Sequence, residues 1–362
     1  MPHASVPPLS ARSGGPDVSV RLVQLVRNSE GTISVSLNAT VLQPEHAPPK
    51  FVDPDWTATR ERRATVALAR LETLWINTGT LCNITCQNCY IESSPSNDRL
   101  AYITAAEAAA YFDEIEAQGL GTREIGFTGG EPFMNPDLLA MVGDALRRGF
   151  EVLVLSNAMQ PMQRPKVKRG ILELAGRYGA QLTIRVSLDH YTRALHEAER
   201  GARTWERTLA GLDWLTTNGV RVAIAGRTCW NESEADTRAG YARLISERGW
   251  RIDASDPAAL MLLPEMDGKR DVPEITTRCW AILKKSPGDM MCASSRMVVK
   301  RRGEAQPSVL PCTLIPYDPA FDMGATLGAA AVVDGGMFAK GAVKLCHPHC
   351  SKFCVLGGGT CS

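Results

Sequence analysis

Between residues 72 and 264 six short apolar runs alternate with longer amphipathic stretches, a rhythm that few folds accept. The strand readings are Thr73–Asn77, Glu124–Thr128, Glu151–Ser156, Leu182–Leu188, Arg221–Ala225 and Leu260–Leu263. Thr104 and Glu107 form a T-x-x-E capping box at the first helix, and Asn135 with Pro136 suits the N-cap and N1 of the second. Gly149, Gly179, Gly219 and Gly249 stand where helices should stop. Six βα units in series predict an α/β fold of parallel strands joined by right-handed crossovers. In such folds ligands bind beyond the carboxyl ends of the strands.

The first βα loop carries Cys82, Cys86 and Cys89 at a C-x3-C-x2-C spacing. A [4Fe–4S] cube offers four irons, so three local thiolates leave one iron open to a ligand that is not protein. Structural zinc would instead close all four positions, usually from two separated pairs. The second βα loop carries Gly129, Gly130, Glu131 and Pro132, which therefore faces the same mouth. Its glycines let backbone approach a ligand, Glu131 and the exposed carbonyls can accept bonds from an ammonium, and Pro132 stops regular structure. Alone, Gly129-Gly130 reads as an ordinary βα turn.

Forty basic against thirty-nine acidic residues argue against nucleic acid or an anionic membrane as partner. Apolar residues make up 44% of the chain, which suits a globular enzyme. No run approaches the roughly 18 apolar residues of a membrane span and no secretory signal opens the chain, so a cytoplasmic location is expected. Eleven cysteines in a reducing compartment point to metal or redox chemistry rather than disulfides. Cys229 stands apart and reads as a bystander thiol.

The ends differ from the middle. Residues 1–16, with four prolines, are expected to be disordered. Residues 17–71 read as a hairpin turning at Asn28–Gly31, a proline-marked linker, and a helix from about Trp56 to Leu71. Residues 72–264 form the alternating domain, and 265–362 a cysteine-rich one.

The paired loop motifs resemble the radical SAM superfamily over roughly residues 70 to 265, which implies a partial (β/α)6 TIM-like barrel. In that family the open iron is chelated by S-adenosylmethionine, and an electron from the cluster cleaves it to methionine and a 5′-deoxyadenosyl radical. A flavodoxin-like or ferredoxin-like donor would supply the electron. Ser187-Leu188-Asp189, His196-Glu197 and Arg200-Gly201 resemble the "SLDG … HD … RG" stretch of members with a SPASM extension, with His190 and Glu197 departing from it. By that resemblance Ser187 and Arg200 hold the SAM carboxylate, a role that suits guanidinium. Ser156 and Asn157 are placed near the methionyl or ribose part or, equally, in a plain strand-end turn. Where relatives often have an aromatic before the third cysteine, this chain has Asn88 there and Tyr90 after it. Either Asn88 bonds the adenine edge or Tyr90 covers the cofactor.

Cys279, Cys292, Cys312, Cys346, Cys350, Cys354 and Cys361 fall in the last eighty-odd residues. Met297–Lys300 and Val309–Cys312 read as a hairpin ending on a thiol, which resembles the opening of a SPASM or shorter "twitch" extension with auxiliary iron–sulfur sites. The Gly303-to-Cys312 interval is four residues too long for that pattern, and the last block departs from it too. Seven thiols allow one complete auxiliary cluster with three spare, or two clusters if one iron takes another ligand. His347 and His349 are candidates for that ligand, but imidazoles bonded to backbone are the better expectation. Gly357, Gly358 and Gly359 would let the tail bring Cys361 back to a metal.

The reading is thus a radical SAM enzyme that oxidatively modifies a substrate by hydrogen abstraction, with auxiliary clusters for electron transfer or substrate binding. The resemblance implies a peptide or protein substrate, or a small molecule in cofactor biosynthesis. Residues 17–55 are short for a leader-binding winged helix, which weighs against the peptide. Asp189, His190, Tyr191, His196 and Glu265 are polar candidates at the mouth, each more commonly a surface or hydrogen-bonding group. A non-catalytic iron–sulfur electron carrier would explain the cysteines but not Gly129–Pro132, Ser187 or Arg200.

Overall fold

A computed structural model describes residues 26–27, 33–34, 48–264 and 271–358. The chain divides into two units, 1–48 and 49–362. In the first, strands β1 (Val26–Arg27) and β2 (Ile33–Ser34) pair antiparallel across the expected turn. The rest of the expected hairpin, the expected disordered start, Glu265 and Cys361 lie outside the described residues.

The start of the second unit differs from the helix expected there. Residues 56–71 form no helix: Trp56 bridges to Arg62, Arg63 bridges to Thr276, and β3 (Thr65–Val66) is a short strand. The apolar spacing there suits a helix, but Arg63 takes a different set of partners. Its guanidinium donates to the carbonyls of Asp53, Trp56 and Leu345 and lies 2.6 Å from Glu274, both side chains being buried. Arg63→Ala would strand the Glu274 carboxylate inside, and should lower unfolding free energy by about 3–5 kcal/mol in a denaturant titration.

The six expected strands form as β4 (Thr73–Asn77), β5 (Glu124–Thr128), β6 (Glu151–Ser156), β7 (Leu182–Ser187), β8 (Arg221–Arg227) and β9 (Leu260–Leu263), each parallel to the next. Between them run α1 (Ala105–Gln118), α2 (Leu138–Arg147), α3 (Gln160–Gln163), α4 (Pro165–Tyr178), α5 (Arg193–Arg200), α6 (Thr204–Thr217) and α7 (Glu234–Arg248). The Thr104–Glu107 capping box is present, and Gly249 ends α7 in the left-handed region. The second cap differs from expectation. Asn135 Oδ1 does accept from Asp137 N–H, as a cap would, and its Nδ2 donates to the carbonyls of Thr78 and Ile103, but regular helix α2 starts only at Leu138, with Asp137 at its N-cap.

Strand residues alternate between two covered faces. Leu74, Ile76, Ile125, Phe127, Val152 and Val154 join the main core, while Trp75 and Leu153 join a smaller one. Trp75 fits because its neighbour across the sheet is Gly126, where a Cβ would lie 2.4 Å from the indole.

The cysteine-rich segment does not stand apart. After the short helix α8 (Cys279–Leu283), strand β10 (Ser295–Val299) lies parallel beside β4 and pairs antiparallel with β11 (Ser308–Leu310), the expected hairpin. The open eight-stranded sheet therefore runs β11-β10-β4-β5-β6-β7-β8-β9. Met297, Val299 and Leu310 pack with Trp75 in the smaller core, which is why the boundary expected at 264/265 does not divide the sheet. After α9 (Leu327–Val332), β12 (Phe338–Ala339) pairs with β13 (Ala342–Lys344), which pairs with β3 across the boundary expected at 71/72. Among the described residues no helix is long and apolar enough to cross a membrane.

Candidate functional site

One cavity opens at the carboxyl ends of the parallel strands and gathers most of the expected site. Cys82, Cys86 and Cys89 line it from the loop after β4, Gly129 and Gly130 from β5, Ser156 and Asn157 from β6, and Ser187 from β7, with Arg200 from the end of α5. Tyr90 is on the wall too, its hydroxyl 3.3 Å from Thr128 Oγ1. Asn88 faces elsewhere, its side-chain amide donating to Glu199 at 2.8 Å and its backbone N–H to the same carboxylate at 3.0 Å. Of the two alternatives, Tyr90 is the one placed on the cavity.

The glycines of the second loop serve the thiol loop first. A Cβ on Gly130 would stand 2.2 Å from the Leu81 carbonyl, and one on Gly129 2.5 Å from the Gly79 carbonyl. Gly129 also holds φ at +141°, where side chains are strained. Only glycines let the two loops touch. Glu131, expected to meet a ligand, is instead buried and turned inward. Its carboxylate accepts from Phe133 N–H, Asn157 N–H and Ser156 Oγ, tying the end of β5 to the end of β6. Burial pushes it up to about 7, against the pull of those three donors. Pro132 is buried at the start of the following 3-10 turn. Glu131→Ala would leave two buried backbone N–H groups without their acceptor, at about 1–3 kcal/mol each. Thermal unfolding of this variant beside Glu131→Gln, which keeps an acceptor, checks the assignment.

Two paired charges hold the opposite wall. Arg200 donates to Asp189 through Nε at 2.7 Å and Nη2 at 3.0 Å, and Arg227 lies 3.5 Å from the same carboxylate and 3.4 Å from Glu199. Burial would raise Asp189, but Arg200 and Arg227 outweigh it and hold the carboxyl below its ordinary value. Glu199 and Arg227 were not visible as site residues in the sequence, since their spacing to the thiols is non-local. Their tie to the thiol loop is direct: Gln87 N–H donates to the Glu199 carbonyl, and Arg227 Nη2 to the Asn88 carbonyl.

The other polar candidates separate. Asp189 lines the cavity; His190 is buried with Nε2 3.3 Å from Glu232, which also receives the Tyr191 hydroxyl. His196 is fully buried against Trp205, where burial and Arg200 bring it down to about 4 and keep it neutral.

The residues fit an iron–sulfur cluster by donor chemistry. Burial pushes the Cys82 thiol up to about 12 and raises Cys86, so neither forms a thiolate unaided; a cationic metal core would supply the missing charge. Hydrogen bonds reach two sulfurs, from Asn157 Nδ2 to Cys82 at 3.9 Å and from Ser93 N–H to Cys89 at 3.3 Å. Among the described residues no three His, Cys, Asp or Glu are arranged to hold a metal ion, so the thiols are not gathered round a single point.

A second, apolar cavity has Cys292, Cys312, Cys350 and Cys354 on its wall, with Met290, Ile315 and Leu345 among their neighbours. Burial raises Cys350 strongly and the other three thiols add to it. Burial also raises Cys292 to about 11. Cys279 is elsewhere, accepting from Thr276 N–H, and Cys346 lies 3.4 Å from the Asp53 carbonyl. His349 bonds the Leu314 carbonyl through Nδ1 and its N–H meets His347 Nδ1, so both imidazoles have backbone partners as expected. None of the ten described cysteines is in a disulfide, and Cys229 lines neither cavity.

The family described as the radical SAM superfamily matches residues 76–237. The antilisterial bacteriocin subtilosin biosynthesis protein AlbA of Bacillus subtilis (strain 168) is 28% identical over 145 residues, which are 40% of this chain and 30% of AlbA. The matched part is thus under a third of that relative's length. Streptococcus suis SuiB bound to S-adenosylmethionine superposes with a TM-score of 0.51 at 13% identity, over 71% of this chain and 64% of SuiB. Native anSMEcpe with bound AdoMet gives 0.52 at 14% identity, over 71% of this chain and 79% of its own. The family match falls on the strands and loops that bring the three thiols to the mouth of an open parallel sheet, so it is residues 76–237 of this chain that match the radical SAM superfamily.

Proposed function

We propose that this chain is a radical SAM enzyme that oxidatively modifies a peptide, with a [4Fe–4S] cluster on Cys82, Cys86 and Cys89. An auxiliary iron–sulfur cluster, in a SPASM-like or twitch-like extension, would sit on Cys292, Cys312, Cys350 and Cys354. The observation that carries the reading is the single cavity shared by the three thiols, Gly129, Gly130, Ser187 and Arg200. When bound, the cluster and SAM together supply the one-electron cleavage of a sulfonium and the hydrogen abstraction that follows.

The chain's own residues position and shield. Asp189 engages two nitrogens of Arg200, which orients the guanidinium and leaves Nη1 as donor for the SAM carboxylate beside the Ser187 hydroxyl. Tyr90, Ser156 and Asn157 line the path of the remaining cofactor, with Ser156 and Asn157 braced by Glu131. Leu155, Ala225, Met261, Leu263 and Phe353 form an apolar wall that keeps water from the reacting carbon. Leu314 lines both cavities, so a substrate in the first is one side chain away from the second, a short route for an electron.

The peptide class rests on the likeness to AlbA, named for the biosynthesis of a bacteriocin. A flavodoxin-like or ferredoxin-like protein would deliver the electron. The test is anaerobic reconstitution followed by dithionite and SAM. Release of 5′-deoxyadenosine supports the reading, and its absence with an intact, SAM-binding cluster overturns it. A deuterium label passing from a peptide side chain into 5′-deoxyadenosine then identifies the substrate class.

A further inference from the structure

Arg296 carries a buried charge with which no carboxylate of the described residues pairs. It sits on β10, in the eight-stranded sheet, and is only 2% exposed. Its guanidinium donates from Nη1 to the carbonyls of Cys292 at 2.6 Å and Ser295 at 2.8 Å, and from Nη2 to that of Gly341 at 3.4 Å. These carbonyls satisfy hydrogen bonds but bring no negative charge. Among the described residues no carboxylate lies within ion-pair distance of it, whereas Arg63, equally buried, has Glu274. A buried, unneutralised guanidinium is expensive, and removing a charge's partner inside a protein is among the most destabilising changes known.

The ionisable groups whose charge reaches it are thiols. Cys292 and Cys312 are the neighbours whose charge acts on Arg296, opposing the effect of its burial. Cys292 is also the residue whose carbonyl the guanidinium grips most closely. Both thiols line the four-cysteine cavity. Four thiolates around an iron–sulfur core leave net negative charge, and charge beside such a core sets its potential.

We infer that Arg296 is the built-in counter-cation of a cluster on Cys292, Cys312, Cys350 and Cys354, which it helps assemble and whose reduction it favours. The inference rests on the auxiliary-cluster part of the proposed function. Arg296 touches neither substrate nor SAM and acts through the cluster, as a positioning residue does.

The test compares wild type, Arg296→Lys and Arg296→Met after anaerobic reconstitution. Iron and sulfide are counted, and each cluster is titrated by EPR. The SAM-responsive signal marks the cluster on Cys82, Cys86 and Cys89 and serves as internal control. Arg296→Met should make reduction of the SAM-insensitive cluster at least tenfold less favourable, about 59 mV for one electron, or cost that cluster's iron altogether. Arg296→Lys, which keeps the charge, should restore most of either loss, and the SAM-responsive signal should stay in place throughout. Equal potentials and equal iron in all three proteins would overturn the inference. So would a loss that lysine leaves unrepaired, since that marks a shape requirement. A wild type without a SAM-insensitive cluster would refute the underlying reading instead, and Arg296 with it.

Discussion

Alanine at Cys82, Cys86 and Cys89 together is expected to reduce 5′-deoxyadenosine release to background, while iron falls from about eight to about four per chain. The loss should be complete because the described cavity wall supplies no other thiol. The variant should still fold. The loop is held by bonds that do not involve sulfur, with Gln87 and Asn88 anchored on Glu199 and Arg227 closing on the Asn88 carbonyl. Iron and sulfide analysis beside a chromatographic assay decides the matter. Residual cleavage, or loss of all iron, would contradict the division of the cysteines into two sites.

The complementary variant, Cys312→Ala with Cys350→Ala, should also lose about four irons yet keep cleaving SAM. What it should lose is the oxidised peptide, because the electron left on the substrate has no acceptor across Leu314. Mass spectrometry of the peptide checks this against 5′-deoxyadenosine measured in the same reaction. A pH dependence accompanies it. Burial, and then the neighbouring thiols, raise Cys350 well above its ordinary value, so the metal-free cavity holds protonated thiols. Assembly must release those protons, and reconstitution of this site should improve as pH rises.

What was legible in the chain was whatever is written locally. Four of the six strands have the bounds read from alternation, and the other two differ by one or two residues at their carboxyl ends. The capping box at Thr104 and the glycine stop at Gly249 likewise depend on a few adjacent residues. The errors have a common cause in distant partners. A helix at 56–71 satisfied the apolar spacing, but Arg63 is claimed by Glu274 and Leu345, more than two hundred residues away. Asn135 accepts from Asp137 N–H as a cap would, but it also clasps the Thr78 and Ile103 carbonyls, and the helix starts two residues later than expected. Glu131 sat in a motif that suggested a ligand, yet its three donors lie within the chain.

The sequence by itself determined the six-unit parallel sheet and the three-thiol loop at its mouth, because strand period, caps and C-x3-C-x2-C spacing are short-range properties of consecutive residues. Only the tertiary structure decided how the later cysteines divide, placing Cys292, Cys312, Cys350 and Cys354 on one cavity and Cys279 and Cys346 outside it. It also decided that the cysteine-rich segment extends the sheet, and that Arg296 stands buried with its guanidinium on the Cys292 carbonyl. The physical reason is that burial and charge balance are set by which distant segments pack together, and no spacing along the chain records that.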